Sequence, residues 1–497
     1  MKKKVTLLPD IDGLFCLVIF VVMVFFAGKR ALLDGDTLWH IKAGSIMIDR
    51  GEILTHDIFS HTQFGMPWTA HEWLAEIIMG AIHRQCGLSG VVVFYFLLTA
   101  LTFWLLFKVV KNCGAGDFLS LFVVAISFVL ALSHLLARPH IFSWLFGVVT
   151  LYLLQKNDRK LFLLPVIMIA WANLHGGFVL GLFLQGIFLT GAFIEAKPWS
   201  SRHSWREFLA RNSNLLLVLI LSTLATGLNP FGFGQLLFPF HVADSFYRQV
   251  VAEWFAPDFQ ELWEFRYYLV FILFVLSFGK AKISWTNRLF LVFFINASLT
   301  HVRHISIAAL FLVPFHVELF KPWQFRCFGQ PKTQDRDNDL ELNPASGPLL
   351  TILAGFFLFF LGSTNLTVWQ NASTQLFPLP EEYSASAIDY LRDHPPKGKM
   401  FNYDSLGDYL IYTLGPEQKV FLDGRIDMYS RKTIKDYIKI RELNEECEEL
   451  LDRYEIGWII VPNTWALIRY LKKGSGWKES YRDDQLSILV RQTSAGP

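Results

Sequence analysis

The chain is built from apolar blocks of about 17 to 22 residues separated by short charged joints, the length that crosses a hydrocarbon slab about 30 Å thick. Candidate spans, several of them shorter than this, fall near residues 12–29, 89–110, 117–135, 139–155, 160–174, 176–194, 214–229, 266–279, 288–301, 304–319 and 348–367. The expected architecture is therefore a mostly α-helical, polytopic membrane protein with about 11 transmembrane helices. A composition of 53% hydrophobic and only 18% charged residues excludes an ordinary soluble domain. The formal net charge of +2, without a basic run interleaved with aromatics, excludes nucleic acid as a partner. Lys2-Lys3-Lys4 and the apolar run from Leu14 to Ala27 read as a retained first span rather than a cleaved leader. Five scattered cysteines have no paired spacing, so neither a zinc knuckle nor a disulfide framework is expected.

Charge placement sets the expected orientation. With the N-terminus cytoplasmic, strict alternation sends Lys108 and Lys111, then Lys156, Arg159 and Lys160, then Lys197, Arg202, Arg206 and Arg211, to the inside. It does the same for Lys280, Lys282 and Arg288, and for Lys321, Arg326, Lys332 and Arg336, so every inner joint is basic. The opposite set comprises a long first loop over 30–88, the joints at 133–140, 173–177, 229–265 and 300–304, and everything after about residue 368. Within the first loop, His71 to Gln85 carries an apolar stripe and reads as an amphipathic helix lying in the interface. After the last span the pattern alternates helix-like stretches (Ala385 to Arg392, Thr433 to Tyr454) with strand-like runs at Lys399 to Asn402, Lys419 to Leu422, Trp458 to Val461 and Leu486 to Val490. The expected division is a transmembrane domain over 1–370, which includes the loop 30–88, and a small extracytoplasmic α/β domain over 371–497.

The unusual polar residues gather on that same outer side. Asp34-Gly35-Asp36 follows the first span directly, and the same loop adds His40, Asp57, His71 and Glu72. Other outer joints supply Arg138, His140, Asn173, His175, Glu253, Arg303 and His304. Asp-Gly-Asp alone reads as a turn, but charged and imidazole groups at membrane depth are expensive unless they pair or face a cavity. A carboxylate at the interface can take a proton from a hydroxyl, and two aspartates flanking a glycine can share a divalent cation, Mg or Mn, through oxygen ligands. Arginines and histidines can hold a phosphate leaving group. A lipid-linked donor meeting a water-side acceptor needs this combination, with the groups meeting in one pocket beside the bilayer.

A first span followed at once by an outer acidic motif, a long first outer loop with an interfacial helix, about 11 spans and an outer C-terminal domain resembles the GT-C superfamily of membrane glycosyltransferases. That superfamily includes protein mannosyltransferases, the lipid A aminoarabinose transferases and the oligosaccharyltransferase catalytic subunit. Asp36, trailed by Trp39 and His40, resembles the acidic residue that family members use as catalytic base or metal ligand. Tyr403 to Tyr409, followed by Asp423-Gly424-Arg425, resembles the opening of the oligosaccharyltransferase soluble domain. The tryptophan pair and Asp-Tyr-Gly order of that enzyme's sequon-reading motif are absent, so recognition of a peptide sequon is not expected.

The resemblance implies an enzyme of the cytoplasmic (inner) membrane that transfers a sugar from a polyprenyl-phosphate donor to a lipid, glycan or protein acceptor at the outer face. The residues carried onto this reading are Asp36, with Asp34 or Glu72, for acceptor activation, and Asp34 and Asp36 for a cation. Arg138, His140, His175, Arg303 and His304 are the expected donor-phosphate ligands. Two rivals are a lipid-linked glycan transporter or flippase, which would line a passage with polar groups, and a non-catalytic envelope scaffold on the same fold. The spans are nearly clean of charge away from their outer ends, which favours chemistry at a face over passage through the slab.

Overall fold

The computed structural model describes residues 5–242, 246, 250–278, 281–328, 341–343, 348–354 and 383–492. In chain order the helices used below are α1 (Ile11–Val22), α2 (Asp36–Arg50), α3 (Trp73–Asn112), α4 (Asp117–Ala131), α5 (His140–Lys156), α6 (Leu164–Leu174), α7 (Val179–Ala196) and α8 (Arg202–Ala225). They continue as α9 (Trp263–Phe278), α10 (Trp285–Thr300), α11 (His304–Phe311), α12 (Val313–Phe328), α13 (Ala385–Asp393), α14 (Asp404–Leu414), α15 (Arg431–Arg441), α16 (Cys447–Arg453) and α17 (Ala466–Leu471). The strands are β1 (Val5–Pro9), β2 (Glu341–Asn343), β3 (Lys399–Asn402), β4 (Ile456–Pro462), β5 (Trp477–Arg482) and β6 (Leu486–Arg491). The chain forms two compact units, one of Met1–Ala27 with Val92–Asn365, the other of Gly28–Val91 with Leu366–Pro497. The sequence division at residue 370 keeps the first outer loop with the spans, whereas these units group it with the C-terminal segment.

The first unit is a helical bundle. α6 packs on α8, α7 on α5, α8 and α10, and α11 on α4 and α10. On α8 the apolar Leu217, Ile220, Leu221 and Leu224 stay exposed at helical spacing, a stripe that suits lipid rather than water. Among the described residues four helical stretches are long and apolar enough to cross a membrane, Trp73–Asn112, Asp117–His134, Gly176–Ser200 and Arg202–Ala225. A fifth is added if His304–Phe311 and Val313–Gln324, bent by 49°, form one span. The mostly helical membrane architecture holds, while the expected count of about 11 is not reached among these residues. The expected last span at 348–367 lies beyond residue 354 outside the described residues.

The second unit joins the two ends of the chain. Its sheet has the order β3-β4-β6-β5, with β3 and β4 parallel and the other neighbours antiparallel. β4 contributes Trp458, Ile459, Ile460 and Val461 as a fully buried run, which is why its sequence shows no alternation. The expected strand at Lys419 to Leu422 is reduced to one parallel bridge between Val420 and Ser60. That bridge is made with the first loop: Val420 N–H donates to the Phe59 carbonyl at 2.9 Å and His61 N–H to the Val420 carbonyl at 3.0 Å. His61 Nε2 meets the Met400 carbonyl at 2.7 Å and the Thr62 hydroxyl donates to the Phe421 carbonyl at 2.7 Å. The loop is thus hydrogen-bonded as an extra layer of the C-terminal fold. The expected single helix from Thr433 to Tyr454 breaks into α15 and α16, with Leu443 between them at φ 56°.

The expected interfacial helix at His71 to Gln85 is the first part of α3, which departs from helical geometry at Gly87 (φ 63°, ψ −169°) before the apolar run begins. α2 crosses this part of α3 backbone to backbone: side chains at Gly44 or Gly80 would collide with the backbone of Glu76 or Ser45. At the centre of the unit Arg425, 2% exposed, pairs with Asp57 at 2.9 Å and, bidentately, with Asp423 at 2.9 and 2.7 Å. Its guanidinium also faces the rings of Trp68, Phe59 and Trp39 at 4.8, 5.0 and 5.8 Å. Both carboxylates are fully buried, so removing the cation leaves two uncompensated charges. Arg425→Ala is expected to destabilise this unit by roughly 3–5 kcal/mol. The measurement is a thermal melt of the full chain together with protease cleavage in residues 51–70, which unpaired loop residues should admit and the parent should resist.

Candidate functional site

The site is built at the start of α2. The Asp34 side chain accepts the Asp36 N–H at 2.9 Å in a turn that leads through the Gly35 N-cap into α2, and Asp36 occupies the first turn, where the helix dipole favours an anion. Trp39, one turn on, donates its indole N–H to Asp36 Oδ1 at 3.0 Å. The sequence pattern points to a turn here and not to the helix that follows, because Asp-Gly-Asp has the chemistry of a loop.

Those partners bring a second carboxylate. A side chain at Gly35 would meet Asp408 Oδ2 at 2.6 Å and the Tyr383 hydroxyl at 2.8 Å. One at Gly424 would overlap Asp36 Oδ1 and meet Asp408 Oδ2 at 2.8 Å. The Asp36 and Asp408 carboxylates therefore border the same bare Cα, and the Gly424 N–H donates to Asp408 Oδ1 at 2.8 Å. Asp408 is 3% exposed, whereas Asp34 and Asp36 are half-buried. Burial, followed by the charges of Asp36 and Asp423 and the weaker one of Asp34, pushes the Asp408 carboxyl well above the ordinary range; the Gly424 N–H opposes them.

Behind Asp36, His40 is clamped between two acids, Nε2 at 3.2 Å from Glu72 and Nδ1 at 3.2 Å from Glu76. Both contacts need a hydrogen, so the triad carries two protons shared among three groups. His71 Nε2 stands 3.7 Å from Glu72. Asp57 is buried; its oxygens accept from the Phe59 and Ser60 N–H groups and the Ser60 hydroxyl, and pair with Arg425. These two acids have different settings: Glu72 borders the Asp36 helix, and Asp57 holds the loop. In the sequence, Asp408 and Gly424 stand out only within the stretches that resemble the opening of the oligosaccharyltransferase soluble domain. The signal that could have singled them out is the recurrence of Gly beside Asp in both segments.

The other predicted residues lie in the first unit. Arg138 donates to Glu253 at 2.7 Å, and Arg303 reaches the other Glu253 oxygen at 3.5 Å. Burial raises the Glu253 carboxyl, but the two guanidiniums outweigh it and hold it at about 2. Two cations against one anion leave a net positive site. Trp254 seats the turn: Arg303 lies over its ring at 4.9 Å, and His301 Nδ1 meets its carbonyl at 2.7 Å. His304 Nδ1 approaches the Ala297 carbonyl at 3.3 Å, and His140 Nε2 donates to the His134 carbonyl at 3.0 Å. His175 Nδ1 accepts from the Gly177 N–H at 2.9 Å and from the Ser143 hydroxyl at 2.6 Å, whose oxygen is occupied by the Trp171 N–H at 2.6 Å. That network places the proton of neutral His175 on Nε2. Asn173 caps the Ile169 and Leu228 carbonyls at 2.8 and 3.0 Å.

Among the described residues no three His, Cys, Asp or Glu side chains are grouped to hold a metal ion. Asp34 and Asp36 supply the hard oxygens that Mg or Mn prefers.

No protein-family model matches the chain, and no curated protein matches it in sequence. The structure does find neighbours. The oligosaccharyltransferase of Archaeoglobus fulgidus in its apo form superposes with a TM-score of 0.55 at 10% identity, over 91% of this chain and 69% of that one. The enzyme AglB of the same organism, in complex with an inhibitory peptide and a dolichol-phosphate, gives 0.54 at 10% identity over 98% and 74%. In fold, the chain is similar to these archaeal oligosaccharyltransferase structures. ArnT from Cupriavidus metallidurans bound to undecaprenyl phosphate has a TM-score of 0.44 at 12% identity, over 97% and 98% of the two chains.

The raised Asp408 carboxyl gives a test that needs no substrate. Its native form binds a proton more tightly than the unfolded chain does, so its contribution is full below about pH 4 and is lost as pH rises through its raised native value. Asp408→Asn is expected to raise the melting temperature relative to the parent at pH 8 and to bring no such gain at pH 4, read by thermal melts across that range.

Proposed function

We propose that this chain is a membrane glycosyltransferase that moves a sugar from a polyprenyl-phosphate carrier to a lipid, glycan or protein acceptor at the outer face of the cytoplasmic membrane. The observation that carries the reading is the half-buried Asp36 carboxylate, oriented by Asp34, Gly35 and Trp39 and bordered by Asp408 across Gly424. Two carboxylates held together bind one shared proton more tightly than an isolated one does, so the Asp36–Asp408 pair can accept a proton from a hydroxyl. The fold neighbour with a bound dolichol-phosphate supports a lipid-phosphate donor here.

The acceptor hydroxyl oxygen attacks the anomeric carbon while its proton passes to Asp36. The bond from that carbon to the phosphate oxygen breaks, its electron pair leaves with the phosphate, and a single in-line displacement inverts the configuration. Glu72, hydrogen-bonded to His40, supports the Asp36 helix. Arg138 and Arg303, which outnumber their shared Glu253, with His140, His175 and His304, bind the phosphate in this reading. The N-terminus is cytoplasmic and the C-terminal segment extracytoplasmic, as the basic joints require. A flippase or a scaffold needs no base at Asp36, which separates these rivals from the transferase.

Purified protein given a panel of radiolabelled polyprenyl-phosphate sugars should transfer label, and Asp36→Asn should lower kcat by about 100-fold or more with the melting temperature kept. Full transfer by Asp36→Asn, or none by the parent with any donor, would sink the reading. Treatment with EDTA, then Mg or Mn, measures whether a cation on Asp34 and Asp36 contributes.

A further inference from the structure

The second unit holds a cavity on the other side of α2 from Asp36. At 3.6 residues per turn, Asp36 and His40 share one face of this helix, and Ile41, Lys42 and Ser45 occupy the opposite one. There they line a space of about 320 Å³ together with His83 of α3, Arg392 of α13 and Tyr412 of α14. Neither cation is used by the machinery described above.

Lys42 is half-buried and makes no hydrogen bond or ion pair among the described residues. Burial lowers its pKa, and Glu417, acting from a distance, opposes that only in part. Arg392 gives one nitrogen to the exposed Asp389 at 3.2 Å. The half-buried Lys42 ammonium and the exposed Arg392 guanidinium line one space, and an anion bound there would offset the cost of Lys42's burial. Hydroxyls of Ser45 and Tyr412 add further hydrogen-bonding groups, and Tyr412 is fixed by His83 Nε2 at 2.7 Å. Ile41 adds an apolar wall.

The location narrows the anion. His83 stands four residues before the break at Gly87, after which α3 enters the apolar run over 89–110. In the chain, the wall formed by His83 is thus followed directly by an apolar run of membrane-spanning length, and phosphate head groups concentrate at the edge of a membrane. Its volume is at the low end of the roughly 300–1,000 Å³ of small-molecule sites, enough for a head group but not for a whole lipid-linked sugar. Lysine with arginine is also the pairing that suits phosphate oxygens.

We propose that Lys42 and Arg392 form a phosphate-binding site that holds a phosphate group, from a membrane lipid or from a free phosphate ester, on the face of α2 opposite Asp36. The site does not depend on the transferase reading.

The test uses the full chain. In neutral detergent, inorganic phosphate is titrated by calorimetry; in nanodiscs of phosphatidylcholine with or without phosphatidylglycerol, the melting temperature is read. Lys42→Gln and Arg392→Gln should each weaken phosphate binding about tenfold or more, and Lys42→Arg should restore most of it. Free phosphate binding assigns a soluble phosphate ester as the occupant. Stabilisation by phosphatidylglycerol alone, abolished in Lys42→Gln, assigns a lipid head group. If the parent shows neither effect, or Lys42→Gln leaves both unchanged, the site does not exist. A parent that binds phosphate but transfers no sugar keeps this site and rejects the enzyme reading.

Discussion

One guanidinium holds the second unit together. Arg425 is surrounded by two buried carboxylates and three aromatic rings drawn from both ends of the chain: Asp57, Trp39, Phe59 and Trp68 from the first loop, Asp423 from the C-terminal segment. Burying three charges costs several kcal/mol per ion, and the pairings recover it only while every partner is present. The arrangement therefore enforces the union of loop and C-terminal segment more than it adds stability. Asp36 depends on the same union, because Trp39, which faces Arg425 with its ring, grips Asp36 with its indole nitrogen.

Close approach does the rest. At Gly35 and Gly424 the absence of a side chain lets Asp36 and Asp408 border one Cα, and a methyl group at either place would have to displace a carboxylate. In the first unit the polar groups are organised differently, through pairs: Arg138 and Arg303 on Glu253, His175 on Ser143. Cations outnumber anions there, and carboxylates dominate around Gly424. The two units thus carry opposite local electrostatic character, one suited to an anion and the other to proton removal.

Much of this was legible in sequence and the reasons are physical. Apolar blocks announce lipid-facing helices because hydrocarbon thickness dictates their length, and α13 and β3 follow patterns that local periodicity reveals. Asp36, His40 and Glu72 could be singled out by their crowding in one loop. The helix after Asp36 was not seen, since Asp-Gly-Asp has the chemistry of a turn as well as of a cap. β5, with Lys478 and Glu479 in it, lacks the apolar alternation of an inner strand, and the run at 419–422 is continuously apolar after Lys419 yet, among the described residues, bridges only Ser60. The partnership of Asp408 with Asp36 was beyond reach, because local patterns carry no information about which distant segments pack.

The grouping of Gly28–Val91 with residues near the C-terminus has a consequence for biosynthesis. The first loop leaves the ribosome early, carrying Asp57 and the His40–Glu72–Glu76 triad, while β3 and Arg425 are made more than 300 residues later. Until then the loop has no cation to meet Asp57 and no Val420 to bridge Ser60. The nascent chain must therefore carry an unfinished loop through the insertion of its remaining helices, and a ribosome that stops short of residue 425 yields a membrane-inserted product whose first loop cannot close.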